Sequence, residues 1–258
     1  MTTRPVAVVT GASRGLGRGI ALALADVGHD LVIGYQGDEA GAEGTALAVR
    51  ESGGRALLVQ GDIRDPATST LLAKAAVEEF GDLGVWVNNA GVSLLAPIES
   101  TATADLERML AVNVMGTLHG LQAAGRVMRS RGGGRIVNLA SDLGVQGGAL
   151  LGAYAATKFA VVGLTQSAAL EFAAAEITVN AVCPGTSETD MVREEWRTQS
   201  ALTAQTPEAV RASYLAAIPA GRFCTPADVG AVVAFLAGPA AAYVTGQSLC
   251  VNGGSVLH

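Results

Sequence analysis

The sequence predicts an α/β fold: an open, doubly wound parallel sheet of about seven strands with helices on both faces. Three observations predict it. Short apolar runs recur at 5–9, 30–35, 55–60, 85–87, 135–140, 177–183 and 248–251. Stretches with helical periodicity lie between them, at about 38–52, 66–80, 103–129 and 153–173. Strands alternating with helices describe βαβ units, which assemble as a parallel sheet with right-handed crossovers. Finally, the first run passes directly into a glycine-rich turn, TGASRGLG at 10–17, and then into a helix whose Leu16, Ile20, Ala23, Leu24 and Val27 share one face.

Composition bounds the answer. Of 258 residues, 50% are hydrophobic and 16% charged, enough to bury a large core. No linker, repeat or low-complexity segment divides the chain, so a single domain over residues 1–258 is expected. The net charge of −6, with no basic run, argues against nucleic acid or an anionic membrane as partner. Cys183, Cys224 and Cys250 are scattered and there are three histidines, so no metal-ligand spacing forms and no metal is expected. Free thiols in a reducing compartment are expected. No apolar run is long enough to span a bilayer, and the first strand begins too early to leave room for a signal peptide. A cytoplasmic protein is expected.

The turn after the first strand reads G-x-x-x-G-x-G, with Gly11, Gly15 and Gly17 framing Ser13, Arg14 and Leu16. Glycines let a backbone approach a pyrophosphate, and a helix N-terminus offers free N–H groups and positive dipole. A structural glycine turn is the competing reading; the strand–turn–helix context favours a dinucleotide. The second strand ends at Gly34-Tyr35-Gln36, where an NAD site places a carboxylate on the ribose. Tyr35 stands there instead, Asp38 and Glu39 fall on the next helix, and Arg14 supplies a cation beside the expected ribose. NADP(H) is therefore the expected cofactor, with NAD(H) the alternative.

A second motif follows the strand at 135–140. Ser141 stands at that strand's C-terminal end, where open α/β sheets bind ligands. Tyr154 and Lys158 are four apart, hence neighbours on one helix face. A phenol has an unperturbed pKa of about 10. An ammonium one turn away is expected to lower it and make Tyr154 a usable acid and base, with Ser141 polarising a carbonyl. A half-buried ring beside a solvated charge is the bland alternative for the pair.

TGASRGLG, NNAG at 88–91, Ser141 thirteen residues before Tyr154, and YAATK in a Y-x-x-x-K pattern together resemble the short-chain dehydrogenase/reductase family over essentially the whole chain. The resemblance implies a Rossmann-type fold and a reaction interconverting a ketone and a secondary alcohol by hydride transfer. It implies that Asn113 is a fourth catalytic residue, kinking its helix and holding a water that joins Lys158 to solvent. By the same resemblance Asp62 and Ile63 bracket the adenine, and Asn89, Ala90 and Gly91 line the cofactor cleft. Lys158 holds the nicotinamide ribose beside Tyr154, and the loop Pro184-Gly185 to Thr189 holds the carboxamide through Thr189 and the Ser187 backbone. Tetramer formation is implied by the family alone.

Residues at about 186–222 form a long, polar, helix-prone insertion, which the resemblance makes a substrate lid. Met191, Trp196 and Leu202 are expected to roof the substrate, or else to pack on the lid's own base. Phe159, Val162, Gly163, Gln166 and Leu170 form a stripe suited to another subunit. Two substrate groups compete. TGASRG and VNGG resemble 3-oxoacyl-carrier-protein reductases; KFAVVGLTQSAALEFA, YVTGQSL and the extended lid resemble acetoin, diol and polyol dehydrogenases. A catalytically idle dinucleotide sensor on the same fold is the reading from another class, and the presence of all four catalytic residues argues against it.

Overall fold

The computed structural model describes residues 4–257. Strands β1 (Val6–Val9), β2 (Asp30–Tyr35), β3 (Ala56–Gln60), β4 (Val85–Asn88), β5 (Gly134–Leu139), β6 (Ile177–Pro184) and β7 (Ser248–Val251) form one sheet in the order β3-β2-β1-β4-β5-β6-β7. Every pairing is parallel. The helices are α1 (Gly15–Asp26), α2 (Glu39–Glu51), α3 (Pro66–Phe80), α4 (Thr103–Met109), α5 (Gly116–Arg131), α6 (Gly152–Phe172), α7 (Asp190–Thr203), α8 (Pro207–Ala216) and α9 (Pro226–Ala237). Among the described residues no helix is long and apolar enough to cross a membrane.

The two sheet faces carry separate cores, as the period-two alternation of strand side chains requires. Ala7 and Val9 of β1 point into a cluster closed by α1, α2 and α9. Val6 and Val8 point the other way, into a cluster closed by α3, α5 and α6. With both faces covered, β1, β2, β4 and β6 are buried throughout, which explains their unbroken apolar runs.

A chain of buried amides crosses the second core. Trp86 Nε1 donates to Asn88 Oδ1 at 2.6 Å, Asn88 Nδ2 to Asn138 Oδ1 at 2.8 Å, and Asn138 Nδ2 to Thr165 Oγ1 at 2.9 Å. It ties β4, β5 and α6 together, and each polar group finds its partner, as burial demands.

Strand ends lie within a residue of expectation, one expected helix is interrupted, and the helix-prone insertion is helical. The helix expected over 103–129 is interrupted by a π turn at Leu110–Met115, between α4 and α5. The cause is Asn113, whose side chain turns inward to bond neighbouring backbone instead of facing solvent. The insertion folds as α7 and α8, each capped by a threonine, Thr189 and Thr206. Its base is tied by Cys224 N donating to Thr186 O at 3.0 Å.

Candidate active site

The sheet order reverses between β1 and β4, and in such sheets the ligand crevice opens at the strands' carboxyl ends. A cleft of about 1250 Å³ lies there, running from the glycine-rich turn to α7 and α8. A larger groove of about 2030 Å³ lies at the opposite, amino-terminal ends of the strands, lined largely by alanine, glycine and proline. Size alone would favour that groove. The polar side chains converge in the first cleft.

At one end, the glycine-rich turn is built so that backbone can come close. Gly11 has φ +63° and lies so near Ala90 that an added Cβ would stand 2.9 Å from its Cα. A Cβ on Gly17 would collide with the Gly11 carbonyl and the Asn89 amide. Asn89 Nδ2 donates to Thr10 O and Gly11 O at 2.9 and 3.0 Å, and Asn89 N and Ala90 N donate to Thr10 Oγ1. The Asn89 amide therefore clamps the turn to the end of β4. Gly11, Ser13, Arg14, Gly15, Leu16, Gly17 and Tyr35 all line this end, with Asp62, Ile63, Asn89, Ala90 and Gly91 opposite. A narrow backbone cradle at a helix N-terminus fits a dinucleotide pyrophosphate.

Arg14 is largely exposed, its Nη1 4.0 Å from Asp190. Asp38 caps α2 by accepting from Gly41 N at 3.0 Å. Arg64, absent from the sequence reading, lines the same end and pairs with Asp62. Gln36 Nε2 donates to that carboxylate at 3.0 Å, so the Asp62 carboxyl is held below the usual carboxylate range, chiefly by Arg64.

The other end holds the reactive side chains. Ser141 follows β5; its hydroxyl donates to Asp142 Oδ1 at 3.1 Å and accepts from Leu143 N at 3.2 Å. Tyr154 and Lys158 project from the first turns of α6, with the ammonium 5.5 Å from the phenol ring centroid. Lys158 is buried and donates to Leu139 O at 2.8 Å. Burial pulls its pKa down to about 8. Pro184, Gly185, Ser187 and Thr189 close this end from β6.

Asn113 lies behind the cleft wall. It accepts from Val92 N at 2.8 Å and donates to Val92 O at 2.9 Å and to Thr157 Oγ1 at 3.0 Å. Thr157 in turn donates to Tyr154 O at 2.7 Å. The π turn thus braces the segment after NNAG against the helix carrying Tyr154 and Lys158.

Two expectations differ from the geometry. Tyr154 opens into the cleft but is densely surrounded, and its pKa is raised, first by burial and then by the carboxylate of Glu195; the Ser141 hydroxyl pulls the other way. Lys158 sits beside the ring, 5.5 Å from its centroid, and donates a hydrogen bond to Leu139 O, and burial outweighs the expected lowering. Second, the roof differs. Trp196 is buried in the lid's own core with Val210, Ile218 and Phe223, its ring 5.4 Å from that of Phe223, and Leu202 is exposed. The face of α7 toward the cleft is Met191, Val192 and Glu195, joined by Tyr214 of α8. Gln146 and Asp142 also line this end and went unnoticed in the sequence. Helical spacing from Met191 leads to residue 195, but nothing local shows which face of α7 turns inward.

A parallel sheet of this order, with its cleft at the switch point, is the Rossmann-type arrangement of nicotinamide-dependent oxidoreductases. A family model described as Enoyl-(Acyl carrier protein) reductase matches residues 11–256. The diacetyl reductase [(S)-acetoin forming] of Staphylococcus epidermidis is 38% identical over 257 residues, 98% of each chain. The 3-oxoacyl-[acyl-carrier-protein] reductase of Staphylococcus aureus is 36% identical over 251 residues, 97% of this chain and 98% of the other. A crystal structure of NAD+-bound xylitol dehydrogenase superposes with TM-score 0.93 at 31% identity, covering 98% of this chain and 100% of that one. The chain belongs to the short-chain dehydrogenase/reductase family.

Proposed function

We propose that the chain is an NADP(H)-preferring oxidoreductase that interconverts a small ketone and its secondary alcohol, with Tyr154 as acid and base. The observation that carries this is the convergence of Ser141, Tyr154 and Lys158 at the end of β5, in a cleft continuous with the glycine-rich turn. The residues lining that turn would hold the dinucleotide, which when bound supplies the hydride acceptor or donor. Ser141, whose hydroxyl donates to Asp142 in the free site, would turn that proton to the carbonyl oxygen and orient it. Tyr154 holds its proton at neutral pH, because burial and Glu195 both disfavour the phenolate, so the phenol is set to protonate the alkoxide. Lys158, with a pKa near 8, stands within reach as the next proton reservoir. Asn113 fixes the backbone at Val92 and, through Thr157, the first turn of α6.

Cofactor preference rests on Tyr35 and Gln36 at the end of β2, where no carboxylate repels a 2′-phosphate, and on Arg14 beside the cleft. Arg64 adds a second guanidinium at that end. NAD(H) is the alternative. Reduction of a 3-oxoacyl group on a carrier protein is the second substrate reading. The carboxyls of Asp142 and Glu195 at the substrate end favour a small polar molecule instead. We further propose that the chain acts as one domain with α7 and α8 as lid, in the cytoplasm, as a homo-oligomer and by family resemblance a tetramer. Exposed Phe159 and Leu170 on α6 support the assembly.

Tyr154→Phe is the test. It removes the proposed proton donor and keeps the ring, so turnover of a ketone panel followed at the nicotinamide absorbance should fall about 10²–10⁴-fold with dinucleotide binding retained. Near-normal turnover would refute the mechanism.

A further inference from the structure

Helix α7 carries three acids, and they behave differently. Asp190 pairs with Arg193 at 3.2 Å, and Glu194 pairs with Arg197 at 2.8 Å, both at the surface. Glu195 turns inward from the same helix, lines the substrate end of the cleft with Met191 and Tyr214, and meets no cation among the described residues. Ser93 lies beside it, its hydroxyl buried and without a partner at full hydrogen-bond geometry, although close enough to hold the Glu195 carboxyl down in part. Burial raises that carboxyl, so an acceptor stands half-satisfied in a partly dehydrated pocket. Glu195 and Tyr154 line the same cleft, and the carboxylate's charge is felt at the phenol, so the two groups share its substrate end. The other carboxyl at this end, Asp142, already accepts from Ser141.

A dehydrated acceptor short of donors is unfavourable, and a site built around one discriminates against ligands that cannot supply the missing donor. A monofunctional ketone would press hydrocarbon against Glu195. A second hydroxyl beside the reacting carbon would donate to it. Ser93 shows the carboxyl beside a hydroxyl, so a neutral hydroxyl suits it.

We infer that Glu195 is a specificity-determining residue that accepts a hydrogen bond from a hydroxyl adjacent to the reacting carbon, selecting vicinal diols and α-hydroxy ketones over monofunctional alcohols and ketones. This rests on the alcohol/ketone activity proposed above. The test measures kcat/KM for 2,3-butanediol, 2-butanol and 3-amino-2-butanol with wild type, Glu195→Leu and Glu195→Gln. The ratio of diol to 2-butanol should fall at least about tenfold in Glu195→Leu, mainly through a higher KM for the diol, as expected for an acceptor removed from a buried hydrogen bond. Glu195→Gln keeps a carbonyl oxygen and should restore much of that ratio. Equal ratios in wild type and Glu195→Leu, or a Gln variant no better than Leu, would overturn the assignment. A wild-type preference for the amino alcohol would also overturn it, in favour of ammonium recognition. Failure of wild type on all three alcohols and on the matching ketones would take the activity down with it, whereas turnover with an unchanged ratio would remove Glu195 alone.

Discussion

The dinucleotide end of the cleft is made of backbone clamped to the sheet, whereas the substrate end is roofed by two helices with a small core of their own. At the first end Gly11 and Gly17 bring chain segments within van der Waals contact, and Thr10 and Asn89 lock them by four hydrogen bonds. At the second, Trp196, Val210, Ile218 and Phe223 hold α7 and α8 together beside the sheet cores, with a tie at Thr186 and Cys224. The cradle has no slack and can recognise one invariant group. The lid can change its inner face without disturbing either sheet core, and is the part where substrate choice can vary.

The largest effect that would break this comparison concerns Trp196. Trp196→Ala should cost about 3–5 kcal/mol, as for other buried aromatics, and a core of four buried side chains cannot absorb that. Hydrogen exchange should accelerate over 190–216 while strand amides keep their protection, and kcat/KM should fall with dinucleotide affinity intact. Equal loss of protection in lid and sheet would make them one cooperative unit. The converse substitution is Gly17→Ala, whose methyl meets the Gly11 carbonyl and the Asn89 amide. Overpacking there should cost about 1–3 kcal/mol, read by urea unfolding, and should weaken dinucleotide binding while leaving the α7–α8 core protected.

Arg14→Ala sharpens the comparison within the rigid end. One charge-assisted contact is worth about 1.5–3 kcal/mol, so NADP(H) affinity should drop by about one to two decades with NAD(H) nearly unchanged. Equal weakening of both cofactors, or a wild-type preference for NAD(H), would contradict the proposed cofactor. The smallest effect is on stability with pH. Lys158 titrates near 8 when folded and near its ordinary 10.5 when unfolded, so across that interval the unfolded chain binds more protons and stability rises with pH. The slope is at most about 1.4 kcal/mol per pH unit. From about pH 8 upward Cys183, Cys224 and Cys250, all raised by burial, oppose it, and Tyr154 joins them at higher pH, since they keep protons that the unfolded chain loses. The Lys158 contribution is isolated by comparison with Lys158→Met: the urea midpoint of wild type should rise relative to that of the variant between pH 8 and 9.

The same division governs what the sequence discloses. Strands, crossovers and the glycine cradle follow from local constraints: alternation, turn geometry, a Cβ that does not fit. Every position expected at the dinucleotide lines the cleft. For Met191, Trp196 and Leu202 the sequence left open a roof over the substrate or packing on the lid's own base; Trp196 takes the second, and its partners Ile218 and Phe223 lie more than twenty residues on. Glu195 was hidden for the same reason. The direction of the Tyr154 shift was missed because a neighbouring charge is visible in sequence and burial is not. Asn113 came from family resemblance; by itself it reads as a solvent-facing helix residue.

Thr165 lies seven residues after Lys158 and eleven after Tyr154, two and three turns down α6. Its bond to Asn138, continued through Asn88 to Trp86, keys that helix to the two strands whose ends carry Ser141 and the NNAG segment. A slide of α6 by one turn, about 5.4 Å, would break the bond to Thr165 and leave the buried Asn138 amide without that partner. Helix and sheet are thus indexed like a shaft in its keyway, in the dry interior. Phenol, ammonium and serine hydroxyl keep their spacing by reference to that key, and the lid above them can be remodelled without moving it.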